Sequence, residues 1–175
     1  MPAALTIDPG LCTACMACEL ACSFSKAGVF SPSMSRIRIV RVHTSGVNVP
    51  VACVNCEGAP CIDACPTEAI SRSGDLGIVR VDEARCDACE LCVDECPYGA
   101  IRIPYEGSTV AMCDLCDGDP RCVPECIYGA LRFDGRPDTT LTSPDLRTLP
   151  GVGEERLRAL AAAVATRARG QGGRE

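Results

Sequence analysis

Residues 86–97 read Cys86-Asp87-Ala88-Cys89-Glu90-Leu91-Cys92-Val93-Asp94-Glu95-Cys96-Pro97, four thiols spaced C-x2-C-x2-C-x3-C and followed by proline. Thiolates are soft ligands for iron, and this spacing is that of a run holding a cuboidal four-iron, four-sulfur cluster. Three cysteines two residues apart can wrap one cube while the fourth reaches toward a second. The fourth is expected to start a helix, with Pro97 in its first turn, where a missing N–H costs nothing. The grouping recurs as Cys12, Cys15, Cys18, Cys22, then as Cys53, Cys56, Cys61, Cys65-Pro66, then as Cys113, Cys116, Cys122, Cys126, and these sets use all 16 cysteines.

Zinc and disulfides are the competing readings. Zinc sites commonly set two C-x2-C pairs a dozen or more residues apart, whereas here three thiols crowd together with a fourth shortly after, four times over. An even cysteine count would suit secreted disulfides, yet the start Met1-Pro2-Ala3-Ala4-Leu5 has neither a basic region nor an apolar signal core, and no twin-arginine leader. A reducing cytoplasm is the expectation.

Composition agrees with cubes in place of an ordinary core. The chain has 175 residues, 47% hydrophobic but only 3% aromatic, with no tryptophan. It is expected to be one domain or two small lobes, with cluster ligation substituting for side-chain burial. The formal charge is −6, and four oxidised cubes with their thiolates, at about −2 each, would bring it to roughly −14. That disfavours nucleic acid and anionic membranes as partners. The longest apolar run in the tail, 160–165, is far too short to span a bilayer.

The elements that must position the cysteines are short. Thr6-Ile7-Asp8 precedes the first motif as Val81-Asp82 precedes the third, each an extended stub turning into a cysteine loop. Residues 36–42 alternate charged and β-branched side chains and read as a half-buried strand, with Gly46 and Pro50 bracketing another extended piece. Residues 73–82 form a turn feeding a short strand. Ser23 replaces proline after Cys22, so the helix there is weakly signalled. The segments after Cys65, Cys96 and Cys126 read as three copies of one helical turn, Pro66-Thr67-Glu68-Ala69-Ile70, Pro97-Tyr98-Gly99-Ala100-Ile101 and Ile127-Tyr128-Gly129-Ala130-Leu131. Tyr98 and Tyr128 are read as lids excluding water rather than as relays, and Ala14, Ala17, Ala88 and Met112 as an apolar shell. His43, the one histidine, is given no ligand role.

Over roughly residues 5–133 the four motifs resemble the four-cluster ferredoxin-like subunits that carry electrons for molybdenum and tungsten oxidoreductases and some hydrogenases, and most closely the small iron-sulfur subunit of bacterial multi-subunit tungsten aldehyde oxidoreductases. The resemblance implies an α+β fold of tandem two-cluster bacterial ferredoxin-like modules with short strands and helices. It also implies four [4Fe-4S] clusters in nested order. Cys53, Cys56, Cys61 with Cys96 hold one and Cys86, Cys89, Cys92 with Cys65 its neighbour; Cys12, Cys15, Cys18 with Cys126 hold a third and Cys113, Cys116, Cys122 with Cys22 a fourth. Spacing alone leaves sequential pairing of the motifs open. The organisation expected is a polyferredoxin domain over 1–133, its inner module at about 50–103 and its outer module from 5–49 and 104–133. A linker at 134–148, a C-terminal helix at 149–169 and a disordered tail at 170–175 follow.

In that tail, Leu149-Pro150-Gly151-Val152-Gly153 leads into a segment with Leu157, Leu160, Ala161 and Val164 on one helical face, a C-terminal helical hairpin resembling the helix-hairpin-helix of DNA-binding proteins. Glu154 and Glu155 stand where a phosphate would lie and suit the helix dipole instead. Docking onto another subunit, onto a second copy or onto its own domain fits better than DNA.

No nucleophile with a base, phosphate loop or flavin site is present, so no catalytic residue is expected and electron transfer is the inferred function. By resemblance the partners are a tungsten- or molybdenum-pterin subunit, with aldehyde oxidation as its reaction, and a flavin subunit passing electrons to a nicotinamide or to ferredoxin. A hydrogenase or another complex, and a scaffold stabilised by its clusters, are the alternatives.

Overall fold

The computed structural model describes residues 3–42, 46–105 and 108–133. His43, the linker, the C-terminal helix and the tail expected from the sequence lie outside these residues. Within them, three two-stranded antiparallel ladders are interspersed with cysteine loops. Strand β1 (Thr6–Ile7) pairs with β6 (Leu131–Arg132), β2 (Arg38–Val42) with β3 (Val47–Val51), and β4 (Ile70–Ser73) with β5 (Ile78–Val81).

The expected internal repeat is present in the hydrogen bonding. Asp82 N–H donates to the Ala69 carbonyl at 2.7 Å, and Asp8 N–H to the Ala130 carbonyl at 2.8 Å. Asp82 and Asp8 also accept, through Oδ1, the N–H two residues on, from Ala84 at 3.0 Å and Gly10 at 2.9 Å, the Asx turn for which aspartate is favoured. Ladder β4–β5 is a local hairpin turned at Gly74 and Gly77, both with positive φ. Ladder β1–β6 joins the two ends of the cysteine-bearing region, and so brings the first motif beside the fourth.

The helices depart from expectation. No helix follows Cys65 or Cys96; instead α2 (Pro60–Asp63) and α3 (Leu91–Asp94) carry the third cysteine of their motifs and end before the fourth. After the fourth comes a β-turn, closed by Glu68 N–H to Cys65 O at 3.1 Å, Gly99 N–H to Cys96 O at 3.0 Å and Gly129 N–H to Cys126 O at 2.9 Å. Proline fixes φ equally well for the second position of such a turn and for the first turn of a helix, so Pro97 and Pro66 do not discriminate between them. The long helix is the one the sequence signals weakly: α1 (Ala17–Ala27) runs through Cys18 and Cys22. Without proline at position 23 it continues. The fully buried Ser23 donates to Leu20 O at 3.0 Å and accepts Ser31 N–H at 3.1 Å. Gly28, with φ of 70°, ends it by donating to Phe24 O at 2.9 Å.

The buried side chains are cysteines interleaved with aliphatics. Cys18, Cys22, Cys113 and Cys122 pack with Ile37, Ile78, Leu115 and Leu131, while Cys61 and Cys92 pack with Ile70, Val79, Ile101, Val110 and Met112. Val49, Val51 and Val54 bury Tyr98 beside Cys56 and Cys96. This is an interior organised around sulfur, as the scarcity of aromatics suggested.

Candidate metal centre

All sixteen thiols fall in the described residues and none is in a disulfide. The loops carrying them share a strained backbone. The residue two after the first cysteine is left-handed in every motif: Ala14 (φ 56°), Asn55 (46°), Ala88 (58°) and Leu115 (52°). Two before the third cysteine, Met16, Ala59 and Glu90 are left-handed as well. Among the described residues ten non-glycine residues have positive φ, and all but Glu68 lie inside cysteine motifs. At about 1–2 kcal/mol each, this strain sums to on the order of 10 kcal/mol, comparable to the whole net stability of a domain. Ligation must offset it.

That geometry aims backbone N–H groups at sulfur. Asn55 N–H donates to Cys53 Sγ at 3.4 Å, and Ala14 and Leu115 N–H groups do the same for Cys12 and Cys113. The fourth cysteines receive theirs from Ala69 to Cys65 at 3.2 Å, Ala100 to Cys96 at 3.4 Å and Arg36 to Cys22 at 3.2 Å. N–H donors of this kind stabilise the negative charge of ligated thiolates and cluster sulfide.

Sulfurs of different motifs lie near one another. Leu11, Ile39 and Tyr128 line a cavity together with Cys12, Cys15, Cys18 and Cys126. Burial pushes the Cys18 thiol up to about 12, and Glu19, Cys12 and Cys126 beside it add to the rise. Burial raises Cys122, with Cys113, Cys22, Cys18 and Cys116 around it, and pushes Cys113 up to about 12 with Cys22 and Cys116 nearby. Burial pushes Cys61 up to about 12, next to Cys56 and Cys96, and raises Cys53, whose neighbours include Cys61 and Cys96. Burial pushes Cys92 up to about 11, with Cys65, Cys86 and Cys89 adjacent. At Cys65 burial is outweighed by hydrogen bonds from Thr67, Ile70 and Ala69, and its thiol lies below the usual value.

Sulfurs from further motifs also lie within electrostatic reach of one another. Cys61 has Cys92 close by, Cys53 has Cys113, and Cys122 has Cys18. Neighbouring sulfurs thus link all four motifs, and the exposed cysteines are Cys15 and Cys89. Buried thiols with raised pKa stay protonated unless metal takes the proton's place, so this donor set is suited to ligation and not to free thiolate chemistry. Among the described residues no three His, Cys, Asp or Glu side chains converge on one ion position. One tetrahedral zinc would need its sulfurs about 3.8 Å apart, whereas a four-iron cube spreads one thiolate to each iron.

The expected lids divide. Tyr98 is 7% exposed, but Tyr128 is 52% exposed while lining the cavity of Cys12, Cys15, Cys18 and Cys126. Met112, at 3% exposure, fits the apolar shell. Sequence reading missed Glu19, 5% exposed and directly after Cys18, and the pair Lys26 and Arg36, whose side chains both meet Asp114 Oδ2 at 2.8 Å beside Cys113. Their charges look like ordinary surface until the topology joins residue 26 to residue 114.

The arrangement defines an iron-sulfur protein built for several clusters. Residues 45–136 match the 4Fe-4S dicluster domain, and the chain belongs to that family and carries multiple [4Fe-4S] clusters. It is similar to the polyferredoxin-like subunit of an aliphatic sulfonate oxidoreductase from Pyrococcus furiosus, 43% identical over 64% of this chain and 64% of that one. It is also similar to a subunit of the tetrathionate reductase of Salmonella typhimurium, 33% identical over 65% of this chain and 47% of that one. A third relative is the electron transport protein HydN of Escherichia coli, 39% identical over 55% and 57%. The chain thus spans less than two thirds of the length of each of these relatives. Among the described residues no helix is long and apolar enough to cross a membrane.

Proposed function

We propose that the chain is a non-catalytic electron-transfer subunit of a cytoplasmic oxidoreductase complex, relaying single electrons through four [4Fe-4S] clusters. The observation that carries this reading is the set of sixteen thiols whose electrostatic neighbours link all four motifs, with Cys15 and Cys89 the exposed ones. Each cluster, when bound, takes up and releases one electron with little rearrangement. The protein's own residues do the rest: backbone N–H groups hold the sulfurs, and the aliphatic shell excludes water between neighbouring sites.

The nested ligand order, with Cys126 joining Cys12, Cys15 and Cys18, and Cys22 joining Cys113, Cys116 and Cys122, is supported by ladder β1–β6 and by the Lys26–Asp114 and Arg36–Asp114 ion pairs. These tie the first motif to the fourth. The inner pairing of Cys96 with Cys53, Cys56 and Cys61, and of Cys65 with Cys86, Cys89 and Cys92, is supported by hairpin β4–β5 and by the helices α2 and α3 that pack together.

As partners we propose a tungsten- or molybdenum-pterin subunit, oxidising an aldehyde, at one end and a flavin/NAD subunit or ferredoxin at the other. The resemblance of the four motifs supports this, and relatives named as subunits of an aliphatic sulfonate oxidoreductase and a tetrathionate reductase support a large redox partner. Two measurements test the reading. Cys126→Ser and Cys12→Ser should alter the same electron paramagnetic resonance signal, and sequential pairing would instead couple Cys126 to a different one. Affinity capture of the tagged chain should bring down a pterin-containing subunit, and recovery of the holoprotein alone under anaerobic conditions would count against the partner assignment.

A further inference from the structure

The turn after Cys65 differs from its two copies in one chemical respect. Position 67 is threonine, which carries its hydroxyl on Cβ, whereas Tyr98 and Tyr128 at the equivalent positions carry theirs at the far end of a ring. The Thr67 hydroxyl oxygen lies 3.6 Å from Cys65 Sγ, a hydrogen-bonding distance for an atom of sulfur's radius. In the free thiol either atom could donate. Once Cys65 is a ligand its proton is gone and the sulfur can only accept, so ligation fixes Thr67 as the donor. The same sulfur accepts the N–H of Ala69 at 3.2 Å and is met by those of Ile70 and Thr67. Burial pushes the Cys65 thiol up, but these donors, the Thr67 hydroxyl foremost, outweigh it. Glu68 and Arg85 beside the turn are exposed and pair with each other at 3.2 Å, which leaves neutral donors as the influence on this sulfur.

We propose that the Thr67 hydroxyl is a tuning donor to Cys65, holding the site that Cys65 shares with Cys86, Cys89 and Cys92 at a higher reduction potential than it would have without the hydroxyl. The proposal rests on the ligand grouping given above. A donor to a ligating sulfur stabilises added negative charge there, so it favours the reduced cluster over the oxidised one. On reduction, one electron leaves a neighbouring cluster, which is oxidised, and reaches this one, which is reduced; no bond forms or breaks and no proton moves. Cys89 of the same site is exposed, so the hydroxyl favours the electron where a docked redox protein can take it up.

Electron paramagnetic resonance-monitored redox titration of the reconstituted full-length chain tests this. Thr67→Val keeps the β-branched shape and removes the hydroxyl. One cluster should then show about a tenfold lower ratio of reduced to oxidised form at fixed potential, a downward shift of about 59 mV, with the others unmoved. The signal that moves should be the one altered by Cys89→Ser. Thr67→Ser, which keeps an O–H on Cβ, should leave the midpoint near the wild-type value, which a purely steric role for the threonine methyl would not. Thr67→Ala should lower the same midpoint, and provides the reading should Thr67→Val fail to load. Four clusters in wild type with unmoved midpoints in the hydroxyl-free variants, or a shift that serine shares, overturn the tuning role alone. Fewer than four clusters in wild type, or movement of a signal other than that of Cys89→Ser, overturn the grouping beneath it.

Discussion

Asn55 is the side chain on which three parts of the chain converge, and replacing it with alanine should loosen the whole metal-bearing interior. It is 1% exposed. Its Nδ2 donates to Ala3 O at 2.9 Å, its Oδ1 accepts Val79 N–H at 2.9 Å, and its own N–H, on a left-handed backbone (φ 46°), donates to Cys53 Sγ. Asn55→Ala keeps the last bond but strands a buried carbonyl and a buried N–H. Each stranded group costs about 1–3 kcal/mol, and alanine is also less tolerant of positive φ than asparagine. A total near 3 kcal/mol multiplies the population of opened molecules by more than 100-fold, since about 1.4 kcal/mol is tenfold. The assay is anaerobic bleaching of cluster absorbance by a chelator at sub-denaturing urea, with loss limited by opening. Bleaching should accelerate at least tenfold. Asn55→Asp should do no better, because a carboxylate cannot donate to Ala3. Rates within twofold of wild type for both variants would refute the reasoning.

Other outcomes follow from the same structure. Glu68 occupies, with φ of 50°, the turn position that Gly99 and Gly129 fill in the equivalent turns; Glu68→Gly should raise the urea midpoint by relieving strain of about 1 kcal/mol, losing only the exposed ion pair to Arg85. Desolvation alone would raise the Asp114 pKa, but Lys26 and Arg36 outweigh it and hold it below the usual carboxylate value. Its contribution is therefore fully present above about pH 4 and is lost as pH falls through the lowered folded value, so the urea-midpoint gap between wild type and Asp114→Asn should be widest at neutral pH and close in acid. Iron removal by chelator should abolish far-ultraviolet circular dichroism of β1–β6 and α1, because the strained loops lose the ligation that holds them; a native spectrum in the apoprotein would contradict this.

The cysteine spacing makes the donor set legible, because ligand geometry is short-range and repeats every few residues. The Asp8 and Asp82 stubs are legible for the same reason. The direction of the helices is not: proline after the fourth cysteine suits a turn as well as a helix, and what decides is the need of Glu68, Gly99 and Gly129 to redirect the chain into β4, into an isolated antiparallel bridge of Arg102 with Ala111, and into β6. The union of first and fourth motifs depends on a ladder between residues more than a hundred apart and on the Lys26–Asp114 pair, and spacing carries no information at that range. Glu19 is invisible for a related reason. On α1 it looks like any first-turn acid, and its burial is set by Ile39 on a strand that the helix itself does not encode.

Chemical determination of iron and acid-labile sulfide in anaerobically reconstituted full-length chain, against protein mass from amino-acid analysis, bears most directly on the account. Four cubes on sixteen cysteines predict about sixteen of each per molecule. A stable preparation holding about eight or fewer, or one loaded with zinc in place of iron, would contradict it.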